Sequence, residues 1–168
     1  LHEQRDRLWR PDGGGALMLT PSVGSMQGGF LISDLSGGTA VTKFTANFKV
    51  FVGEGSGNPA DGYSFSFAPD VPEATVGEEG AGSGITVAFD TYDNGGAEAP
   101  AIDVKYGGQE VATKKVAKAL LVNNRYVDVT IRLYANGTID VIHNGVTHHD
   151  KLPIPGFSAI AGGRILIG

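Results

Sequence analysis

The sequence predicts an all-β domain folded as a sandwich or barrel, and three observations carry this. Segments such as 42–52 and 126–134 alternate apolar and polar residues with the period of two of a half-buried strand. Turn signals rich in Gly, Asn and Pro recur between such segments at the 8–12-residue spacing of antiparallel sandwiches. The 26 glycines among 168 residues, with few helix-periodic stretches, call for many tight turns between short strands.

Residues 1–12 read as one helical turn or an arm with Leu8 and Trp9 as anchors, and Gly13-Gly14-Gly15 breaks it off. An N-terminal extension is therefore expected over 1–15 and one domain over 16–168. Short strands follow at 16–20 and 29–32 around a Pro-Ser-Val-Gly turn. In the strand at 42–52, Phe44, Ala46, Phe48, Val50 and Val52 share one face. After the turn cluster G-E-G-S-G-N-P, the next strand sets Tyr63, Phe65 and Phe67 on one face and Ser64, Ser66 and Ala68 on the other. Small residues on that second face imply close packing against another layer or a ligand.

A glycine-rich connection leads from Pro69 to Gly84, long for a compact domain. Strands are expected at 85–91, 101–106 and 110–113. Residues 114–121 tolerate helix, but their Val and Leu positions favour strand or irregular chain. In 126–134, Val127, Val129, Ile131 and Leu133 face inward, and Ala135-Asn136-Gly137 and Asn144-Gly145 mark two hairpins. A last strand covers 164–167. The total is ten to twelve short strands, with no internal repeat, linker or second domain.

Charge and composition narrow the function. A net charge of -5 opposes nucleic acid as a partner, because phosphate binding needs a basic face. The absence of cysteine excludes a disulfide framework and thiolate chemistry. No apolar run reaches the roughly 18 residues of a membrane helix.

Catalytic patterns are missing. A glycosidase needs two carboxyls flanking the scissile bond, yet no strand carries such a pair, and Glu78 and Glu79, adjacent in a loop, should point apart. No G-x-S-x-G elbow accompanies the serines. His148-His149-Asp150 reads as an exposed hairpin end whose two imidazoles face opposite ways. Calcium fits better, since it takes hard oxygen ligands including backbone carbonyls. D-T-Y-D-N offers Asp90, the Tyr92 carbonyl and Asn94 in alternation, with Glu98 or Asp93 to complete the shell. The same spacing also describes an ordinary Asx-capped turn.

A-D-G-Y-S-F-S-F-A-P at 60–69, then V-A-F-D-T-Y-D-N at 87–94 and A-I-D-V at 101–104, resembles the L-type lectins, as does the rhythm of N-N-R-Y-V-D-V-T-I, N-G-T-I-D-V and G-R-I-L-I-G. The resemblance covers about 16–168. It implies a concanavalin A-like jelly-roll β-sandwich of two antiparallel sheets. Asp61 would accept sugar hydroxyls after a cis Ala60–Asp61 peptide. Asn94 would both ligate calcium and bond the sugar, and a glycine of the 77–84 loop, assigned as Gly82, would donate its N–H. Asp90 and the Tyr92 carbonyl would be calcium ligands. Ala88 stands where family members carry a glutamate ligand, so no transition metal is expected; a second calcium aspartate is also absent, leaving Glu98 as its substitute. The family continues beyond the point matching Gly168, so the domain is expected to lack its last strand, with an open edge available for self-association.

The function implied is a non-catalytic, lectin-like carbohydrate-binding module of a larger extracellular or cell-surface protein. A structural or adhesive sandwich without sugar binding is the alternative, with a glycoside hydrolase on the same fold behind it.

Overall fold

A computed structural model describes residues 15–53 and 59–168. The expected arm at 1–12 and most of the turn cluster after Val52 lie outside the described residues. Among the described residues, ten strands form two antiparallel sheets. They are β1 (Phe30–Ile32), β2 (Phe44–Phe51), β3 (Gly62–Ala68), β4 (Ile85–Asp90), β5 (Ala101–Tyr106), β6 (Gln109–Lys115), β7 (Tyr126–Leu133), β8 (Thr138–His143), β9 (Val146–Pro153) and β10 (Arg164–Ile167). The six-stranded sheet has the order β1-β10-β3-β4-β5-β6, and the four-stranded sheet the order β2-β7-β8-β9.

Two expectations are corrected. Residues 16–20 hold no strand, and 114–121 is neither strand nor irregular throughout: β6 ends at Lys115, and a single helical turn, α1 (Lys118–Leu121), follows. Tertiary contacts decide that turn. The Val116 N–H donates to the Pro100 carbonyl at 3.1 Å, ending the ladder, and Leu121 is buried in the core.

The core lies between the sheets, and alternation builds it. Tyr63, Phe65 and Phe67 of β3 and Ile85, Val87 and Phe89 of β4 point inward, meeting Val129, Ile131 and Leu133 of β7 and Ile139 and Val141 of β8. Aromatic rings bridge the layers: Phe44 packs against Phe67 at 5.0 Å between centroids, and Phe48 stacks on Phe65 at 6.2 Å. Such pairs add about 0.5–1.5 kcal/mol each beyond the area they bury.

The second face of β3 and β4 is also covered. The Ser64 hydroxyl donates to the Gly77 carbonyl at 2.9 Å, the Ala81 N–H donates to Ser66 Oγ at 3.1 Å, and Ser66 and Thr86 share a hydroxyl contact at 3.2 Å. The close-packed layer implied by those small residues is therefore the chain's own glycine-rich loop.

In the four-stranded sheet the β8–β9 register shifts around Asp140. Its carboxylate accepts the Tyr134 hydroxyl at 2.5 Å, the Lys151 N–H at 2.8 Å and Lys151 Nζ at 3.0 Å. Burial alone would push this carboxyl up, but those bonds outweigh it and hold it below the usual range. The bulge also alters the expected exposure of the histidine pair. His149 is buried, with Nε2 2.9 Å from the Ile102 carbonyl of the opposite sheet.

His143 is 0 % exposed beside Phe89, 5.7 Å between ring centroids, and neither ring nitrogen has a hydrogen-bond partner among the described residues. Burial, and then the neighbouring His148, lower its pKa to about 4. A histidine kept neutral by the fold contributes stability above the unfolded value of 6.5, and that contribution is lost as the pH falls toward 4. The loss is roughly 3 kcal/mol across that window. His143→Leu is expected to raise neutral-pH stability by about 1–3 kcal/mol by removing two orphaned nitrogens. It should also flatten the decline between pH 6.5 and 4 in chemical denaturation; an unchanged acid decline would refute this account.

Candidate functional site

β3 and β4 end together at one rim. Gly62 pairs with Asp90, and a Cβ on Gly62 (φ 146°) would stand 2.2 Å from the Phe89 carbonyl oxygen. Only glycine permits that approach. Asp61, just before β3, is exposed, and its peptide bond with Ala60 is cis, as the resemblance implies. The Asp61 carbonyl accepts the Thr91 N–H at 2.8 Å and the Thr91 hydroxyl at 3.0 Å. The residues that enter β3 and leave β4 are thus tied together directly.

Asp90 is only 3 % exposed and lies on the outer face of the sheet, with Oδ1 accepting the Tyr92 N–H at 2.9 Å. Burial pushes its carboxyl above the ordinary range; the Tyr92 bond opposes this, and the charges of Asp103, Glu79 and Glu98 reinforce it. Asp103, on the neighbouring strand, is also raised, first by burial.

The loop after β4 carries the other predicted residues. Tyr92, Asn94 and Glu98 are exposed. The Asn94 N–H donates to Glu98 Oε1 at 2.7 Å, and the Gly95 N–H donates to Asp93 Oδ1 at 2.9 Å. Lys115 Nζ donates to the Glu98 carbonyl. Of the six predicted positions, Asp61 lies just before β3, Asp90 ends β4, Tyr92 and Asn94 follow it, and Glu98 is bonded to the Asn94 backbone.

Gly82 is not brought to this rim. A Cβ on it would stand 2.7 Å from the Ala68 Cβ and 3.2 Å from Asp70 Oδ1, at the opposite end of β3. The seven-residue strand separates the two ends by roughly 20 Å. The reason is the loop's direction: it runs lengthwise over the outer face, from Gly77 above Ser64 to Ser83, whose N–H donates to Asp70 Oδ1 at 2.7 Å.

The loop residue that does reach the rim is Glu78, whose Cβ lies 3.1 Å from where a Gly62 Cβ would be. Burial raises its carboxyl, with Asp61, Glu79 and Asp90 adding to the effect. Its neighbour Glu79 pairs with Lys105. Sequence spacing offered no signal for Glu78, since it cannot say which way a long loop lies. Among the described residues, no three His, Asp or Glu side chains form a metal-holding group.

No protein-family model matches the chain, and no curated protein matches it by sequence. Solved structures do match. The exoplasmic/lumenal domain of VIP36 in its Ca2+-bound form superposes with a TM-score of 0.62 at 18% identity, over 90% of this chain and 69% of that one. The same domain has been solved with Ca2+ and mannose. A lectin from Bauhinia forficata in complex with GalNAc gives a TM-score of 0.56 at 15% identity, over 90% of this chain and 79% of that one. The Emp47p carbohydrate recognition domain gives 0.54 at 16% identity, over 84% and 65%. The fold is thus similar to that of these lectin domains, a jelly-roll β-sandwich of two antiparallel sheets.

Proposed function

We propose that this domain is a non-catalytic carbohydrate-binding module whose ligand sits at the rim formed by Asp61, Asp90 and Asn94. The observation that carries this reading is the rim itself. An exposed carboxylate and an exposed amide flank a buried carboxylate where two central strands end, in a fold whose named examples hold mannose or GalNAc. Asp61 accepts sugar hydroxyls and Asn94 donates to them. Glu78 takes the loop position once assigned to Gly82. Binding through a few polar groups on an open rim is weak for a single site and gains from multivalent display.

Calcium belongs to the same reading. Asp90, the Tyr92 carbonyl, Asn94 and Glu98 are hard oxygen donors of the kind the ion takes, and VIP36 was solved in a Ca2+-bound form. The ion would supply positive charge among crowded carboxylates. The residues do not favour a transition metal, because Ala88 offers no ligand.

A hydrolase is disfavoured because the paired carboxyls of a glycosidase flank an open groove, whereas Asp90 and Asp103 are 3% and 8% exposed. Among the described residues no helix is long and apolar enough to cross a membrane. We place the domain outside the cell or at its surface by analogy with the exoplasmic/lumenal domain it superposes on.

A glycan array with calcium and with EDTA tests the reading. Binding to at least one glycan class is expected, weakened at least about tenfold in Asp61→Ala, the scale of losing a hydrogen bond to a charged group. No binding by the unaltered protein in either condition sinks it in favour of a structural sandwich. Proton competition gives a second test. The Asp90 carboxyl is held above its ordinary value, so it takes up a proton earlier on acidification. Calcium affinity measured by calorimetry should therefore start to fall on acidification while carboxylates of ordinary pKa are still ionised, and a profile flat through that range would exclude Asp90 as a ligand.

A further inference from the structure

The two loops that border the rim are each fastened by a lysine from the β5–β6 ribbon. Lys105 Nζ pairs with the Glu79 carboxylate, beside Glu78 at the rim. Lys115 Nζ donates to the Glu98 carbonyl, and Glu98 Oε1 in turn accepts the Asn94 N–H at 2.7 Å. The ladder places both lysines on the face that carries Asp90. Asp90 pairs with Ala101, which pairs with Lys115, and Lys105 pairs with Thr86 one strand over. Residues directly opposite in a ladder point to the same side.

Charge gives these contacts their weight. Asp61, Glu79 and Asp90 act on Glu78, and Asp103, Glu79 and Glu98 act on Asp90, so carboxylates crowd this face in a chain of net charge -5. Lys105 and Lys115 are the cations that act on Asp103 at its centre. The Lys105 side chain is only 16% exposed, so its ion pair with Glu79 is better shielded from solvent than an ordinary surface pair.

We propose that Lys105 and Lys115 are positioning residues of the rim: built-in cations that hold the 77–84 and 92–98 loops where a divalent ion would otherwise be needed, and that compete with such an ion when it is offered. The assignment rests on the rim being the ligand site. It predicts loops already ordered without metal, with calcium binding that is weak because the Lys115 ammonium, bonded to the Glu98 backbone carbonyl, already places a positive charge beside the Glu98 side chain.

Hydrogen exchange read by mass spectrometry on the domain in EDTA, without sugar, tests this. The unaltered protein should show both loops protected. Lys105→Met should speed exchange about tenfold in peptides spanning 77–84 and leave 92–98 unchanged, and Lys115→Met should do the reverse. Lys→Arg at each position should restore most of the protection. Calcium titrated by calorimetry should bind Lys115→Met several-fold more tightly than the unaltered protein. Unchanged loop exchange in both methionine variants overturns the proposal, as does protection in the unaltered protein that develops only on adding calcium. Far-UV circular dichroism separates a loop effect from global unfolding; if Lys105→Met unfolds, the Lys115 variants and the calcium titration decide alone. Because no sugar is present, failure of the array would leave this result standing, and failure here would leave a positive array standing.

Discussion

The two-faced character of β3 is the constraint on which the rest of the structure depends. One face carries Tyr63, Phe65 and Phe67, which fill the space between the sheets and meet Phe44 and Phe48 of β2. The other carries Ser64 and Ser66, small enough for backbone to lie directly on them and polar enough to bond it. A larger residue at either serine would lift the 77–84 loop, and Glu78 and Glu79 would leave with it. A smaller residue at any of the three aromatics would leave a cavity beneath the rim. One strand therefore fixes both the core and the wall of the site.

The rim is an electrostatic problem as much as a geometric one. Gly62 lets β3 and β4 meet, and Thr91 ties their ends through the Asp61 carbonyl. That closeness brings several carboxylates onto one desolvated face, where like charges resist burial. The burial of Asp90 and Asp103 raises both carboxyls, as expected of groups short of compensating cations. Lysines from β5 and β6 meet part of that need.

Much of this was legible from residue order. The alternation in 42–52 and 126–134 located β2 and β7, and turn residues marked both hairpins, because a sheet imposes a period of two on any strand with one buried face. D-T-Y-D-N after a strand marked a run of oxygen donors, and the resemblance to the L-type lectins added Asp61 to them. Three features were not legible. The direction of the glycine-rich loop depends on which serines it bonds, and it sets Gly82 at the far end of β3 and Glu78 at the rim, which loop composition does not specify. The register shift between Val141 and Ile142 sets His149 opposite Val141 and buries it against Ile102, which period-two reasoning could not anticipate. The α1 turn depends on Leu121 finding the core and on Pro100 claiming the Val116 N–H. Each is a tertiary decision that overrides a local pattern.

Asp61, Tyr92, Asn94 and Glu98 all lie beyond the ends of the strands, and Asp90 is the final residue of β4. None of them contributes a side chain to the layer between the sheets. Substitutions at these positions can therefore change the chemistry of the rim without entering the packing between the sheets. At 15% to 18% identity to the superposed lectin domains the fold is still shared, while the residues beyond the strand ends are free to differ.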